Sequence, residues 1–376
     1  MFAVDSMFLT TVRANPHLRP RVGNPDEMRS NRLIKTLEAL NFRVTDSEPT
    51  IPEDIHGSVI TALNEEAVAA AALANKGGIN LIATYEAFGT KMHGVVRQEI
   101  IFANQCEEKG SKQFWLSIPL VLTSHTWENA KNEQSHQDPA MAEAMLGEVS
   151  NVSRALFVPD YNTAAVVMGA IYQTYAQIWT LVVPKIDQIP DMFTPEDAAR
   201  LLDQGALRLD WAAPDAAKQR LILTAIGAYQ LEEVLKASFR LTERRIAHSV
   251  VYMLEPGRFR APRSDGEQAH VVPAELRTEL YPESVPLRIF VTHTRPEPIM
   301  GTLQPLNTGY GQTSALGFVV KGGTLTVPGM LFVNRCTWAH VLKEAAMLLD
   351  IQREELLTSQ ELAALDGQIS PEGIIV

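Results

Sequence analysis

The densest collection of proton-donating and proton-accepting side chains in the 376-residue sequence is one run, Ser124-His125-Thr126-Trp127-Glu128-Asn129-Ala130-Lys131-Asn132-Glu133-Gln134-Ser135-His136-Gln137-Asp138-Pro139. It is too polar for a core, and loops of this kind often carry function. His125 and His136 bring imidazoles, which titrate near neutral pH and can move protons. A lone loop histidine is more commonly just hydrogen-bonded. Glu65 and Glu66 open an alanine-rich helical stretch, where an acid ordinarily complements the helix dipole. Tyr85 and Phe88 stand one helical turn apart and can share a surface, as ordinary core aromatics also do. Arg32 can clamp a phosphate bidentately, and Lys185 can add a point charge. Cys106 and Cys336 are the only cysteines and have no CxxC spacing, so neither a zinc site nor a disulfide framework is indicated. His293, Asn334, Arg335 and His340 are scattered, and His293 and His340 are expected to be structural.

The elements that must hold these residues follow from length and pattern. At about 150 residues per domain the chain has room for two or three cores. With 33 Lys and Arg against 44 Asp and Glu, the net charge of −11 disfavours nucleic acid and anionic membrane as partners. No apolar stretch approaches the roughly 18 residues of a membrane span, and the cysteine usage fits a reducing cytoplasm. Residues 1–24, rich in Arg and Pro, read as an N-terminal arm. A helix can start at Asp26 with Leu33, Ile34, Leu37 and Leu40 on its apolar face, ending near Asn41. A second runs from about Leu63 to Lys76 and stops at Gly77-Gly78. Short apolar strands at 79–84, 115–122, 154–158 and 179–183 then alternate with helical stretches, the pattern of a parallel α/β sheet. A Pro- and Asp-punctuated linker, 191–217, separates this domain, 25–190, from a second α/β series over 218–376. Arg154, Asp160 and Asn162 are expected to cap and turn a βα junction.

Three stretches in order carry a family resemblance. Gly23-Asn24-Pro25-Asp26-Glu27-Met28-Arg29-Ser30-Asn31-Arg32-Leu33 resembles a Gly-Pro-Asp-Glu-x-x-Ser-Asn-Arg-Leu signature, Tyr85-Glu86-Ala87-Phe88 resembles Tyr-Glu-(Ala/Ser)-Phe, and Ser124-His125-x-Trp127 with Ser135-His136-Gln137-Asp138-Pro139 matches a loop without a gap. Together they are similar to the C-terminal half of phosphoketolases, thiamine-diphosphate enzymes of the transketolase-like superfamily. The likeness thins after about residue 255, where Lys321-Gly322-Gly323-Thr324-Leu325-Thr326-Val327-Pro328 is a surviving fragment. The resemblance implies an α/β fold of two consecutive layered domains with mainly parallel sheets, a pyrimidine-binding domain followed by a transketolase C-terminal-like domain.

It also implies roles. Glu65 would be the glutamate that hydrogen-bonds the cofactor's pyrimidine nitrogen and drives the ring to its imino form. Glu66 is the adjacent competitor, because the following stretch is about two residues shorter than the family's. Tyr85 and Phe88 would lie against the aminopyrimidine. His136, with His125, Asn129 and Asn132, would hold the oxygen of the two-carbon unit, and Ser30, Arg32 and Lys185 would contact the substrate and its phosphate. Asn129, Lys131 and Glu133-Gln134 replace the family's usual Gln, His and Gly-Phe, which implies a rebuilt substrate end. The Gly-Asp-Gly motif that grips the diphosphate through Mg²⁺ is absent from the sequence. The expectation is therefore a split enzyme whose partner subunit carries the diphosphate-binding domain and the Mg²⁺, as a heterotetramer or self-dimer, cleaving a ketose phosphate to acetyl phosphate and an aldose phosphate. Transfer of the two-carbon unit to an aldehyde, as in transketolases, and a non-catalytic regulatory subunit stay open as alternatives.

Overall fold

Four six-residue strands, Ile118–Thr123, Ile178–Val183, Leu221–Ile226 and His248–Met253, are buried along their whole length. Strands covered on both faces lose the alternation of a half-exposed sheet and belong to parallel sheets flanked by helices. The computed structural model describes residues 1–25, 27–128, 133–188, 190–213 and 218–375 and places these strands in two such sheets. The chain divides into two units. The first comprises Met1–Thr126, Ala140–Leu202 and Pro262–His270, and the second Trp127–Pro139, Asp203–Ala261 and Val271–Val376. The units are thus interleaved in sequence.

In the first unit β1 (Arg19–Gly23), β2 (Phe42–Arg43), β3 (Glu53–Asp54), β4 (Val59–Ile60), β5 (Gly78–Tyr85), β6 (Ile118–Thr123), β7 (Ser153–Phe157) and β8 (Ile178–Val183) form an eight-stranded sheet in the order β3-β2-β4-β1-β5-β6-β8-β7. All its pairings are parallel. Its helices are α1 (Phe2–Ala14), α2 (Ile34–Leu40), α3 (Glu65–Leu73), α4 (Glu86–Gly89), α5 (His93–Glu108), α6 (His125–Glu128), α7 (Ala140–Gly147), α8 (Tyr161–Ile171) and α9 (Pro195–Gln204), the last residues of α6 and α9 passing to the second unit.

The first residues depart from the expected arm. Phe2–Ala14 is a helix packed on α2 and α8, with Val4, Phe8 and Val12 buried at a four-residue spacing, and Arg19–Gly23 is an inner strand between β4 and β5. The buried carboxylate of Asp5 accepts the backbone N–H groups of Lys35 and Thr36 at 3.0 and 2.9 Å and so closes the start of α2 from a neighbouring helix. That helix begins at Ile34, since residues 27–33 turn over the end of β5, and the expected start at Asp26 lies outside the described residues. Asn24 accepts the Glu27 N–H at 2.7 Å while donating to the Ala83 carbonyl at 2.7 Å. The Gly77-Gly78 pair also serves otherwise than as a helix cap. The helix α3 ends at Leu73, and Gly78 opens β5 where a Cβ would stand 2.1 Å from the Arg19 carbonyl oxygen. Asp160 does cap α8, its carboxylate accepting the Thr163 N–H at 2.9 Å.

The second unit is built on β9 (Ala206–Arg208), β10 (Leu221–Ile226), β11 (His248–Met253), β12 (Leu287–Thr292) and β13 (Thr313–Leu316) in the order β13-β12-β10-β11-β9. Its pairings are parallel except for β9, which runs antiparallel to β11 at the edge. Helix α10 (Ala228–Glu243) covers β10 and β11, and α11 (Asp265–His270) returns to the first unit. There the fully buried Glu267 accepts the Ser150 N–H at 2.9 Å and an Arg263 Nη at 2.7 Å. The chain continues through α12 (Ala274–Leu280), α13 (Pro296–Thr302), α14 (Val327–Val333) and α15 (Trp338–Leu349), the last packed on α10 and β12. The expected linker 191–217 therefore contains α9 and the edge strand β9. Among the described residues no helix is long and apolar enough to cross a membrane.

Candidate active site

Parallel strands end on one edge, so every loop leaving a carboxyl end in the first unit starts from that edge. The chain passes from β1 to β2, β3 and β4 on one side and from β5 to β6, β7 and β8 on the other, which makes the β1/β5 boundary a topological switch point. Ligand crevices of open α/β sheets form outside the carboxyl ends at such points. Ser30 and Arg32 follow β1, Glu65 follows β4, Tyr85 ends β5, His125 follows β6 and Lys185 follows β8. Gly23 lets β1 end against α3, since a Cβ there would lie 2.4 Å from the Val68 carbonyl oxygen.

Five of these candidates touch in series. The Tyr85 hydroxyl donates to Ser30 Oγ, the Tyr85 and Phe88 ring centroids are 5.9 Å apart, and Lys185 Nζ lies 5.2 Å from the Tyr85 ring centroid. Lys91 Nζ lies 4.6 Å from the Phe88 centroid and 2.9 Å from Glu65 Oε1. Glu65 is the first residue of α3, after Asn64, whose side chain caps the helix through the Ala67 N–H at 2.9 Å. Only 9 % of Glu65 is exposed, whereas Glu66 is exposed. The environment thus separates the two competing carboxylates.

Arg32 has a left-handed backbone, φ 61°, a conformation that turns the chain before α2 and is uncommon for a side chain with a Cβ. It lines a cavity of about 270 Å³ with Lys185, Lys35, Asp5, Asp187 and Phe2. Residues that the sequence reading did not single out brace this edge. Glu27 Oε2 accepts the Tyr85 N–H at 3.3 Å, and the fully buried Glu86 accepts the Thr126 hydroxyl at 2.7 Å. Both lie within the quoted motifs, which was the available signal. Lys91 had none.

The polar loop is shared between the units at Thr126/Trp127, so His125 and His136 do not lie in one unit. His125 opens α6 in the first. His136 ends a 3₁₀ turn, Glu133–His136, in the second, half-buried and with Nδ1 2.8 Å from Ser135 Oγ. Asn129 and Asn132, with Lys131, lie outside the described residues. Either side of them the loop is fastened to the second unit. Trp127 is fully buried and donates to the His293 carbonyl at 3.1 Å, Glu128 accepts the Tyr229 hydroxyl at 2.5 Å, Gln137 exchanges hydrogen bonds with the backbone of Gly323, and Asp138 pairs with Arg295 at 2.8 Å. His293 is buried against Trp127, and His340 is hydrogen-bonded to Thr337 Oγ at 2.7 Å, its imidazole pushed down to about 4 by burial and by the neighbouring Lys343 and Arg335. Among the described residues no group of His, Cys, Asp and Glu is arranged to hold a metal ion.

Residues 3–174 match the family of D-xylulose 5-phosphate/D-fructose 6-phosphate phosphoketolase. A probable phosphoketolase of Brucella abortus (strain 2308) is 25 % identical over 340 residues, 88 % of this chain and 42 % of that protein. The chain therefore spans about two-fifths of the length of such relatives. Among solved structures, a transketolase mutant of Pichia stipitis in complex with fructose 6-phosphate superposes with a TM-score of 0.65 at 14 % identity over 93 % of this chain and 46 % of that one. A split-gene transketolase, described as an inactive beta4 tetramer, gives a TM-score of 0.59 at 14 % identity over 93 % of this chain and 97 % of that one. The motifs at the switch point and the match over residues 3–174 thus make this chain similar to phosphoketolases, on a fold like that of the transketolase structures.

Proposed function

We propose that this chain provides the pyrimidine-binding side of a thiamine-diphosphate site and, with a partner subunit carrying the diphosphate-binding domain and its Mg²⁺, cleaves a ketose phosphate in the cytoplasm with uptake of inorganic phosphate and loss of water, giving acetyl phosphate and an aldose phosphate. On this reading residues 25–190 form the pyrimidine-binding domain and 218–376 the transketolase C-terminal-like domain. The observation that carries it is the buried Glu65 carboxylate at the switch-point edge, in line with Phe88 and Tyr85. A buried carboxyl linked through Lys91 to the Phe88 and Tyr85 ring pair suits an aminopyrimidine, which needs one hydrogen bond at a ring nitrogen and apolar cover for its face. When bound, thiamine diphosphate supplies the nucleophilic carbon and electron sink that cleaving a ketose requires.

Glu65 would hydrogen-bond the pyrimidine nitrogen and Phe88 and Tyr85 would orient the ring, while Ser30 steadies Tyr85 by accepting its hydroxyl. Arg32 and Lys185, on one cavity wall, take the substrate phosphate. In the polar loop His136 would be the group that meets a substrate oxygen and moves its proton, and His125, Asn129 and Asn132 are its neighbours in sequence. The split-gene transketolase, similar over nearly its whole length, supports a chain of this extent that works with a separately encoded partner. Mixing the chain with its co-purified partner, thiamine diphosphate, Mg²⁺, inorganic phosphate and xylulose 5-phosphate is expected to release acetyl phosphate. Glu65→Gln is expected to lower turnover about 10²–10⁴-fold, and silence from a verified complex would exclude the reaction. Aldehyde transfer uses the same residues and is favoured by the substitutions at Asn129, Lys131, Glu133 and Gln134. A product that forms without phosphate but requires an aldose acceptor would identify it.

A further inference from the structure

Lys91 brings a positive N–H donor to the two groups that a pyrimidine ring would use. Its Nζ donates to Glu65 Oε1 at 2.9 Å and stands 4.6 Å from the Phe88 ring centroid. A carboxylate and an aromatic face are the partners of a protonated or imino aminopyrimidine: the carboxylate meets the ring N–H and the arene covers the ring face. The ammonium meets the same carboxylate oxygen and the same arene. An ammonium seated on that carboxylate and that arene competes with a ring for both.

The two side chains differ in how readily they yield. The Glu65 side chain is 11 % exposed, so its carboxylate needs a partner wherever it stands. The Lys91 side chain is 58 % exposed, on a four-carbon stem rising from the short 3₁₀ turn Thr90–Met92, and its ammonium can swing into water. We propose that Lys91 is an internal competitor for the pyrimidine position, occupying Glu65 and Phe88 in the free chain and withdrawing when the ring enters. The proposal rests on the pyrimidine-site reading above and adds what that reading lacks, a residue that sets the affinity of the site. Lys91 keeps the carboxylate oriented toward the ring position and weakens cofactor uptake by the strength of one partly exposed ion pair.

The test uses the full chain and an uncharged probe, the hydroxymethyl derivative of thiamine's aminopyrimidine half, so that a change in overall charge does not by itself alter binding. Affinity is read by calorimetric titration or ligand-observed NMR. Lys91→Met is expected to bind the probe about three- to fivefold tighter than the parent. Lys91→Arg, which restores a cation, is expected to stay close to the parent, and adding Glu65→Gln to Lys91→Met is expected to erase the gain. Unchanged or weaker binding by Lys91→Met, with Glu65→Gln still weakening the parent, would overturn the competition while leaving the pyrimidine site intact. Binding that is insensitive to Glu65→Gln, or absent in every variant, would remove the site and the proposal together.

Discussion

Glu65 and Glu66 are neighbours in sequence and opposites in environment: the first is buried and ion-paired with Lys91, the second is exposed on the far flank of the same helix turn. A carboxylate acts on a ring nitrogen by hydrogen-bond reach, and burial strengthens that bond by excluding water. On the phosphoketolase reading Glu66→Gln should leave turnover of the assembled enzyme within about twofold, since an exposed first-turn acid contributes at most a few tenths to 1 kcal/mol to its helix, whereas Glu65→Gln lowers it about 10²–10⁴-fold. The comparison is a steady-state rate on two isosteric variants of the same complex. Equal losses in both would show that the shorter stretch after Glu66 shifts the register by one residue.

At the scale of elements, the first helix packs on α2 and α8 and is also tied to the start of α2 by one carboxylate. Asp5 accepts two backbone N–H groups at the start of α2, and Asp5→Ala would leave both donors buried without that acceptor. The expected loss is about 2 kcal/mol, read as a lowered urea midpoint, with Asp5→Asn costing less because it keeps one acceptor. The long inner strands were legible because parallel strands buried on both faces print as unbroken apolar runs, as in Ile178–Val183, whereas the five-residue β1 and the two-residue β2, β3 and β4 were not read. The helix α1 was missed although Val4, Phe8 and Val12 carry its period, because the Arg and Pro residues after it masked the pattern. The strand β9 could not be read, because three residues have no period and their pairing with β11 depends on chain some forty residues away. The candidate site was legible only where a motif carried it. Lys91 and Glu65 are 26 positions apart, and nothing in local spacing announces their ion pair.

At the scale of the molecule, acid acts on charge and on buried imidazoles together. The net charge of −11 at pH 7 falls toward zero near the isoelectric point of about 5.4, which favours association. In the second unit, burial, Lys343 and Arg335 hold His340 at about 4, and burial lowers His248 as well, partly offset by the Ile246 carbonyl. An unfolded histidine titrates near 6.5. Between about 6.5 and 4 the unfolded chain therefore binds more protons than the folded one, and stability rises with pH across that window. The contribution of a depressed imidazole is complete above the unfolded value and is lost as the pH falls through the folded one. For His340 the full gap is worth about 3 kcal/mol. Urea unfolding of the full chain should accordingly show a midpoint that drops between about pH 7 and pH 5. His340→Gln keeps a polar partner for Thr337 and removes the titration, so its midpoint should change less over the same interval. Parallel slopes in the two proteins would assign the acid sensitivity to other groups.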